Sequence, residues 1–591
     1  MSARVVLRFA PAALVAAALV VAVASAAAAP SGPLTRVSQD KLSDVIGFHQ
    51  VEVQPSLAAD AASKTLVSVF EVGRAYNGGA SAIGWSTSVN GGKSFKNGLL
   101  PLTTIAGGPS TVYRGADPSV AYDQRYDTWI AASTGLGSTA NTIGLFVNTS
   151  SNGSSWSDPV SVHAAGTGDT PTKSWITCDN NGASSGYGNC YIAYTNSTST
   201  PANQLFVSTS TDAGATWSSP VGTPDASVGT GAIAAVQPPA PGSPNTCGRV
   251  VVSYANGTTL NDFTSSDCGA TASAHAVITS TQAAQHTPSQ GLRISLFPSV
   301  STDGAGALYL AYQTRSFRIT QTSLSAASNA GDTNIKVAGV TGMTAGGTLT
   351  VDPTGSNPET VTITTVGTAG ATGTGVTITP ALAFAHAQGA LVTVNGVPST
   401  STAAPNDVAL AVMPGPTDAT PAPAFGTPTR IPLEADTGAS SDTVDHFIPA
   451  IAADPSTKGG SAHLALFYYF YPVSSCGYIQ DFVPPVGGPQ PASQCQPAFG
   501  YSSSTDGGST WSTPQTLVSM PSLAVLPRTV PIGTTGNGNP DLGLYTSAAV
   551  IPSGPLQGDA ISVFDYGATV NGFDESMYVP SHGLTIGGGG S

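Results

Sequence analysis

Short apolar runs separated by Gly, Ser, Thr, Asn and Asp recur along the chain and predict many β-strands joined by tight turns. One phrase opens with Pro-Ser or Pro-Ala, continues with apolar residues, ends in Asp and leads into a second apolar run. It occurs at 55–60, 118–123, 298–303 and 449–454. Each copy predicts an inner strand, a turn at Asp and a second strand.

Degenerate copies of this phrase raise the number of predicted repeat units to seven. They lie at 175–178, 237–238 and 540–543, and they precede the apolar runs 190–194, 249–254 and 560–564. Residues 34–52 come before the first unit, and the last unit is short. An N-terminal strand returning to the last unit would close a ring and remove free strand edges. We therefore favour seven units, and six remain the alternative if one degenerate copy is only a loop.

A second repeated phrase, Ser-x-Asp-x-Gly-x-Thr-Trp, follows several of the predicted strands. Full copies occupy 504–511 and 210–217, and looser copies with Asn occupy 88–95 and 150–156. Asp or Asn can cap its own turn, and Gly tolerates a positive φ, so the phrase predicts a tight turn between two strands. The aromatic residue that closes it is expected to pack back into the core.

This second phrase resembles the Asp-box (BNR) repeat of the bacterial sialidase superfamily. Four copies in one chain imply an all-β fold, a sialidase-like β-propeller of six or seven blades. The resemblance also implies that the box is a structural turn remote from the active site.

The residues that the family uses for catalysis are incomplete in this chain. The family's Phe-Arg-Ile-Pro phrase opens the first inner strand, and its Arg grips the carboxylate of sialic acid; here that position holds Val53. The next strand keeps the family's Glu and Arg as Glu71 and Arg74. The acid/base Asp expected next is missing from 76–82. Phe317-Arg318-Ile319-Thr320 resembles the lost phrase, but it lacks Pro and follows a second strand.

Another glycosidase chemistry would need two carboxyl groups facing each other, one protonated and one ionised. Glu is rare after the N-terminal segment, and the candidates are Glu71 with Arg74 and Glu575 with Tyr578. The alternative for each pair is a salt-bridged or hydrogen-bonded strand end.

The residues just before each predicted inner strand should ring one end of a central channel. The proposed ligand-binding residues in this ring are Arg114, Asp117, Lys173, Trp175, Arg293, Asp445, His446 and Asp541. Glu52, Gln54, Gln237, Phe297 and Asn539 belong to the same predicted ring. Cations, carboxylates and aromatic rings suit a polar, sugar-sized ligand. The alternative is that they hydrogen-bond to neighbouring blades.

Residues 320–400 differ in composition from the rest and predict a small all-β domain inserted in one blade. They contain alternating Thr/Val/Ile runs, Gly-rich turns and a single aromatic residue, Phe384. The predicted propeller parts are then 30–319 and 401–582, followed by a flexible Gly-rich tail at 583–591. The insert is interpreted as a spacer or adhesion module, because a carbohydrate-binding module normally exposes several aromatic side chains.

The N-terminus and the six cysteines both point to export. Residues 1–29 have Arg4 and Arg8, an apolar core and a small-residue cleavage site, as in a signal peptide; an uncleaved anchor is the alternative. The cysteines form three close pairs, predicted as disulfides: Cys178 with Cys190, Cys247 with Cys268, and Cys476 with Cys495. A zinc site is a poor alternative, because no Cys-x-x-Cys or nearby His ligand set exists.

Composition limits the class of partner. The formal net charge is −14 and only 9 % of residues are charged, which disfavours nucleic acid and anionic membrane surfaces. No cofactor or metal is expected. The sequence predicts a secreted or cell-surface monomer that binds or processes an extracellular carbohydrate or glycoprotein. If it is an enzyme, a glycoside hydrolase of exo-sialidase type is expected. The alternative is a non-enzymatic structural or protein-interaction propeller.

Overall fold

The computed structural model describes residues 33–243, 246–279, 292–294, 296–315, 317, 319–353, 357–398, 406–416, 423–433, 445–471, 496–520, 540–567 and 575–587. Within these ranges the chain is all-β, as predicted, apart from two short 3₁₀ turns at Ile105–Gly107 and Gly459–Ser461. The predicted signal peptide, the pair Cys476 and Cys495, Asn539, Arg318 and the end of the predicted tail lie outside the described residues. No helix in the described part is long and apolar enough to cross a membrane.

Outside residues 319–398, the described strands fall into seven antiparallel groups, six of four strands and one of five. Single bridges, Ala80 to Gly115 and Val51 to Glu575, join three of these groups into one 13-stranded sheet. Group 1 contains β2 (Phe48–Ala59), β3 (Leu66–Arg74), β4 (Ala80–Ser88) and β5 (Lys96–Leu99). Group 2 contains β6 (Arg114–Asp123), β7 (Thr128–Leu136), β8 (Thr142–Ser150) and β9 (Val160–Ala164). Group 3 contains β10 (Pro171–Cys178), β11 (Cys190–Asn196), β12 (Gln204–Ser210) and β13 (Val221–Gly222). Group 4 contains β14 (Thr230–Gln237), β15 (Arg249–Asn256), β16 (Thr259–Ser265) and β17 (Ala276–Thr279).

Among the remaining groups of the described chain, groups 5 and 7 combine strands that are distant in sequence. Group 5 contains β18 (Ser299–Thr302), β19 (Leu308–Thr314), β26 (Asp407–Met413) and β27 (Thr429–Arg430). Group 6 contains β28 (His446–Ala453), β29 (Leu464–Phe470), β30 (Ala498–Ser504) and β31 (Gln515–Ser519). Group 7 contains β32 (Ser547–Val550), β33 (Asp559–Gly567), β34 (Glu575–Pro580) and β1 (Leu34–Arg36), and β35 (Leu584–Thr585) also pairs with β33. The N-terminal strand thus supplies the fourth strand of the last group.

The first strands of the groups pack against one another in chain order. β2 contacts β6, β6 contacts β10, and the series continues through β14, β18, β28 and β32, which in turn contacts β2. Apolar side chains fill the spaces between neighbouring groups; Val67 and Val69 of group 1, for example, pack with Trp129 of group 2.

Serine side chains link these first strands by a repeated hydrogen bond. The hydroxyl oxygen of one strand accepts a backbone N–H from the next at 2.9–3.2 Å. The pairs are Ser56 with Val120, Ser119 with Ile176, Ser299 with Ile451, Ser301 with Ala453 and Ser547 with Leu57. This bond gives a physical reason for the Pro-Ser phrase, because it satisfies backbone donors buried between two sheets.

A bulge interrupts the first strand near its start in five groups of the described chain. One residue of each bulge has a positive φ: Gln54 (59°), Asp117 (49°), Lys173 (56°), Gly231 (67°) and Ile448 (49°). A bulge redirects the side chains around it. In group 4 the bulge lies at Gly231, so the prediction that the first strand of this group begins at Gln237 was wrong. Gln237 is the last residue of β14, at the opposite end, where it bonds to Gly306 and Arg249.

The Asp boxes lie between the third and fourth strands of their groups, as the repeat predicts. In the box 504–511, Asp506 accepts the N–H of Thr510 at 2.8 Å and its hydroxyl at 2.6 Å, and Trp511 bonds to Gly508 at 3.1 Å. Burial alone would raise the pKa of Asp506 slightly, but these hydrogen bonds outweigh it and lower the pKa.

A fifth box at 265–272 escaped the sequence analysis. Asp267 accepts the Ser265 hydroxyl at 2.8 Å, the N–H of Thr271 at 2.9 Å and the Thr271 hydroxyl at 2.6 Å. It was missed because Ala272 replaces the closing Trp and Cys268 fills a variable position. All five boxes follow third strands, which places them at the end of the groups opposite the bulges.

Two predicted disulfides are present. Cys178–Cys190 joins the adjacent ends of β10 and β11, and Cys247–Cys268 joins the start of β15 to the fifth box. No free cysteine occurs in the described part of the chain.

Residues 319–398 form a separate six-stranded sheet between β19 and β26. Its strands are β20 (Ile319–Ser323), β21 (Asn334–Ile335), β22 (Thr348–Val351), β23 (Glu359–Val366), β24 (Val376–Thr379) and β25 (Leu391–Pro398). They pair in the order β20-β25-β22-β23-β24-β21 around their own apolar core, which includes Leu349, Ile363 and Val392. Phe384 is 47 % exposed.

The serine links generate a stability prediction. Ser119→Ala should lower the free energy of unfolding by about 1–3 kcal/mol, because it leaves the buried N–H of Ile176 without an acceptor. Ser68→Ala is the matched control. Ser68 is equally buried, but its hydroxyl has no partner among the described residues, so its loss should cost little. Urea unfolding would measure both; equal losses would contradict the proposed role of the link.

Candidate functional site

One end of the strand groups is called the mouth here. It contains the bulged ends of the first strands, the ends of the second strands and the starts of the third strands. Charged side chains from these segments meet there. Glu71 and Arg74 come from β3, Asp117 from the bulge of β6, and Lys173 from that of β10. Asp541 precedes β32 and forms an isolated parallel bridge with Arg293, which precedes β18.

Arg74 is the hub of this cluster. Its Nη1 donates to Glu71 Oε2 at 3.1 Å and to the carbonyl of Gly79 at 3.2 Å. Its Nε and Nη2 donate to Asp541 Oδ2 at 3.3 and 3.1 Å. Burial alone would lower the pKa of Arg74, but Glu71 and Asp541 outweigh it and raise the pKa. The guanidinium fork thus ties group 1 to group 7.

Asp117 and Lys173 form a second ion pair, between groups 2 and 3. Lys173 Nζ lies 2.6 Å from Asp117 Oδ1, and the Lys173 N–H donates to Oδ2 at 3.1 Å. The N–H of Asp117 also donates to Glu71 Oε1 at 3.3 Å, which connects this pair to Arg74. Burial alone would raise the pKa of Asp117, but Lys173 outweighs it and lowers the pKa.

Two cations of the cluster reach solvent and the carboxylates do not. The side chains of Lys173 and Arg293 are 26 % and 32 % exposed, whereas those of Asp117 and Asp541 are each 4 % exposed. Arg293 Nη1 donates to Asp541 Oδ2 at 2.9 Å. Burial would raise the pKa of Asp541, but Arg74 and Arg293 lower it. A ligand approaching the mouth therefore meets positive groups held in place by buried carboxylates.

The pKa of Glu71 is shifted in the opposite direction from the pKa values of Asp117 and Asp541. Burial raises its pKa above the ordinary value, and the nearby Arg74 only partly opposes this. A carboxyl group with a raised pKa beside carboxylates with lowered pKa values is the division that acid–base catalysis needs. Glu71 is only 1 % exposed, however, which limits direct access to substrate.

Three aromatic side chains pack together beside Asp117 and Lys173. Trp175 meets Tyr545 edge-to-face with ring centroids 5.5 Å apart, and Phe297 lies 6.0 Å from Tyr545. The Tyr545 hydroxyl donates to the carbonyl of Pro118 at 2.8 Å. Beyond them, a cavity of about 560 Å³ extends towards the Asp-box end and is lined by first-strand residues such as Val120, Ile233 and Ser301. The aromatic trio thus forms part of the floor of that cavity.

Three more carboxyl groups lie behind the cluster, where group 7 meets group 1. Asp565 of β33, Glu575 of β34 and Glu52 of β2 are each fully buried. Burial raises the pKa of Glu52 to about 7. Burial and then the neighbouring carboxylates raise the pKa values of Asp565 and Glu575 well above their ordinary values. In the described part of the chain, no group of three His, Cys, Asp or Glu side chains is placed to hold a metal ion.

Several residues selected from the sequence lie apart from this cluster. Arg114 donates to Asn77 and to the Gly78 carbonyl at the rim, and burial lowers its pKa. Asp445 and His446 are fully buried; Asp445 binds Asn406 at 2.7 Å, and His446 stacks on Phe470.

Tyr578 also lies away from its predicted partner. Three residues after Glu575 on a strand, it points to the other face, where its ring meets Tyr566 edge-to-face. Val53, where the resemblance to sialidases led us to expect an arginine, packs with Phe48 and Val51.

Asp565 was not selected from the sequence. It lies in β33, directly after an apolar run at 560–564 that showed only a core pattern. A carboxylate at the end of such a run was the signal that could have marked it, because unpaired buried carboxylates are costly.

Comparison with known proteins does not assign a family. No protein-family model matches the chain, and no curated protein matches it in sequence. The chain is similar to a protein of unknown function from Dyadobacter fermentans, with 15 % identity, 60 % of this chain and 99 % of that one covered, and a TM-score of 0.33. It is also similar to an exo-β-1,3-galactanase from Phanerochaete chrysosporium, with 11 % identity, 63 % of this chain and 97 % of that one covered, and a TM-score of 0.28. An intramolecular trans-sialidase from Ruminococcus gnavus has 13 % identity, with 51 % of this chain and 85 % of that one covered, and a TM-score of 0.33. Similarities at this level carry no functional assignment.

The hub role of Arg74 generates a second stability prediction. Arg74→Met should lower the free energy of unfolding by about 3 kcal/mol or more, because it leaves Glu71 and Asp541 buried without their shared cation. The control is Arg125→Met, since Arg125 is exposed and its Nη1 makes one hydrogen bond, to the Tyr187 carbonyl. Its loss should cost less than about 1 kcal/mol. A similar small loss for both variants in urea unfolding would show that Arg74 is not the hub.

Proposed function

We propose that the chain is a secreted, sialidase-like Asp-box β-propeller whose seven strand groups are its blades. The closed series of contacts from β2 to β32 and back supports this number, as does the pairing of β1 with β34. We further propose that 320–400 is a domain inserted in the fifth blade, within the boundaries expected from composition. The two disulfides are compatible with secretion.

We propose that the mouth binds an extracellular glycan. The observation that carries this proposal is the pair of partly exposed cations, Lys173 and Arg293, each fixed by a buried carboxylate. Charged donors held in this way lose little freedom on binding hydroxyl or carboxylate oxygens. The half-buried Trp175 offers an aromatic surface near Lys173. Tyr76, which is 42 % exposed after β3, adds an aromatic side chain near Arg114 at the rim.

The chain connections also favour the mouth as the functional end. The sheet 319–398 is inserted between the second and third strands of group 5, and that connection lies at the mouth. The chain between Phe470 and Ala498 and that between Ser519 and Ser547 also begin and end there. Long connections at one end of a rigid scaffold commonly carry function.

If the site is also hydrolytic, Glu71 is the candidate acid and Asp117 or Asp541 the candidate ionised carboxylate. This assignment rests on the opposite directions of their pKa shifts. A second candidate function is a non-enzymatic protein-interaction propeller. The aromatic trio favours it, because Tyr545 and Phe297 are almost completely buried and leave little room for a sugar at the centre.

Glycan binding can be tested with an array of neutral and acidic oligosaccharides. We expect binding that weakens about tenfold or more in Lys173→Met and in Arg293→Met, as for loss of a hydrogen bond from a charged donor. Lys93→Met is the control, because Lys93 is exposed in an Asp box at the opposite end. Absence of binding to every glycan, or equal weakening by Lys93→Met, would contradict the proposed site.

Hydrolysis can be tested separately with fluorogenic aryl glycosides, the α-sialoside included. If the mouth is catalytic, Glu71→Gln should abolish release, and the activity of wild type should fall as pH rises through the pKa of Glu71. No release from any substrate, with glycan binding intact, would identify a binding protein. Release that survives Glu71→Gln would exclude the assignment of the acid.

A further inference from the structure

The junction between group 7 and group 1 is formed by three segments distant in sequence. β34 pairs with β1 on one side, and its first residue, Glu575, bridges Val51 of β2 in parallel. The chain after β1 stays close: the N–H of Val37 donates to the Met577 carbonyl at 2.8 Å. This junction closes the series of strand groups.

Three buried carboxyl groups lie within this junction. In the pairing of β33 with β34, Glu575 lies opposite Gly567, and Asp565 is two residues before Gly567. Asp565 and Glu575 are therefore diagonal neighbours on one face of the sheet. Glu52 follows Val51, the residue that bridges Glu575, so the third carboxyl group enters from β2.

These carboxyl groups lack the partners that buried carboxylates usually have. Among the described residues, none donates a hydrogen bond to any of the four carboxyl oxygens of Asp565 and Glu575, or to Oε1 of Glu52. Two serines oppose the effect of burial on Glu52: its Oε2 accepts the Ser38 hydroxyl at 2.9 Å, and the Ser576 hydroxyl also favours its ionised form. Ser38 Oγ itself accepts the N–H of Met577 at 2.9 Å. Ser38 thus joins β34 to Glu52 across the junction.

The surrounding charges do not compensate them. Two cations lie within range: Arg74, whose guanidinium Glu71 and Asp541 already bind, and Arg36, whose charge acts on Glu52. The titratable or charged groups that face the three carboxyl groups from the surrounding elements are Arg36, Asp40, Glu71, Arg74, Tyr469, Asp541 and Tyr545. The tyrosines of this set are neutral, and the acids outnumber the basic groups.

We propose that the junction between the first and last strand groups is a pH-sensitive closure, held shut while Glu52, Asp565 and Glu575 carry protons and loosened when they ionise. Three negative charges buried close together repel one another, and opening lets solvent reach them. This closure works without a ligand at the mouth.

The direction of the pH effect follows from the raised pKa values. In the closed state burial raises the pKa of Glu52 to about 7, against an ordinary value of 4.5. The pKa values of Asp565 and Glu575 are raised in the same direction. Protons therefore bind the closed state more tightly than the open one. The stabilisation is complete below pH 4.5 and is lost as pH rises through the raised values.

Hydrogen exchange of the full chain, followed by mass spectrometry and corrected for intrinsic exchange rates, tests this closure. Peptides covering 33–40 and 575–580 report the junction, and one covering β29 serves as reference. Between pH 5 and pH 8 we expect protection of the junction to fall about tenfold or more, with little change in β29. Equal protection at both values would overturn the proposal without any variant.

Neutral variants separate this closure from general loss of stability. Glu52→Gln, Asp565→Asn and Glu575→Gln should each reduce the pH dependence and raise protection at pH 8. Asp262→Asn is the matched control, because burial raises the pKa of Asp262 to about 6 but it lies on β16, away from the junction. The proposal fails if Asp262→Asn has the same effect or if the three variants keep the wild-type profile. Protection at pH 8 that EDTA removes would instead show a cation between the carboxyl groups.

Discussion

The hydrogen bond from a backbone N–H of one first strand to a serine hydroxyl of its neighbour is the interaction on which the assembly of the strand groups depends. Each first strand pairs with the second strand of its own group on one side, and on the other it packs against neighbouring groups, their first strands included. Backbone groups on that second side would be buried without partners, which costs free energy. Ser56, Ser119, Ser299, Ser301 and Ser547 provide acceptors there, within 3.2 Å. At these four of the seven junctions, the same residues satisfy backbone donors and link neighbouring groups.

The repeated bulge explains why chemistry collects at the mouth. A regular first strand would direct alternate side chains to the core and to the channel. The bulges at Asp117 and Lys173 bring consecutive groups into an ion pair at 2.6 Å, and Arg74 extends it to Asp541. The Asp boxes at the other end share one hydrogen-bond pattern and vary little. One end of each group is thus fixed by its turn, while the other end differs from group to group.

Much of the fold was predictable because it repeats. The Pro-Ser phrase and the Asp box predicted strands and turns that the structure confirms, and close cysteine spacing predicted the two disulfides. Group 4 was misplaced because its first strand has neither phrase, so Gln237-Pro238 resembled a start.

The candidate site was less predictable. Glu71, Arg74, Asp117, Lys173, Arg293 and Asp541 were selected and meet, but their pairing depends on how separate groups pack, which no local pattern encodes. Asp445 and His446, selected because they lie near a strand start, are fully buried, and Tyr578, selected because it lies near Glu575 in sequence, faces away from it. Neither kind of proximity determines which way a side chain points.

The position of Arg74 connects the chemistry of the mouth to the junction between the first and last strand groups. Its bonds to Glu71 and Asp541 hold the cluster that faces solvent, and Glu575 lies within range of its charge. While Glu575 is neutral, Arg74 serves the mouth alone. Under the proposed closure, an ionised Glu575 would compete with Glu71 and Asp541 for the same cation. The arrangement of donors at the mouth and the stability of the junction would then depend on the same proton.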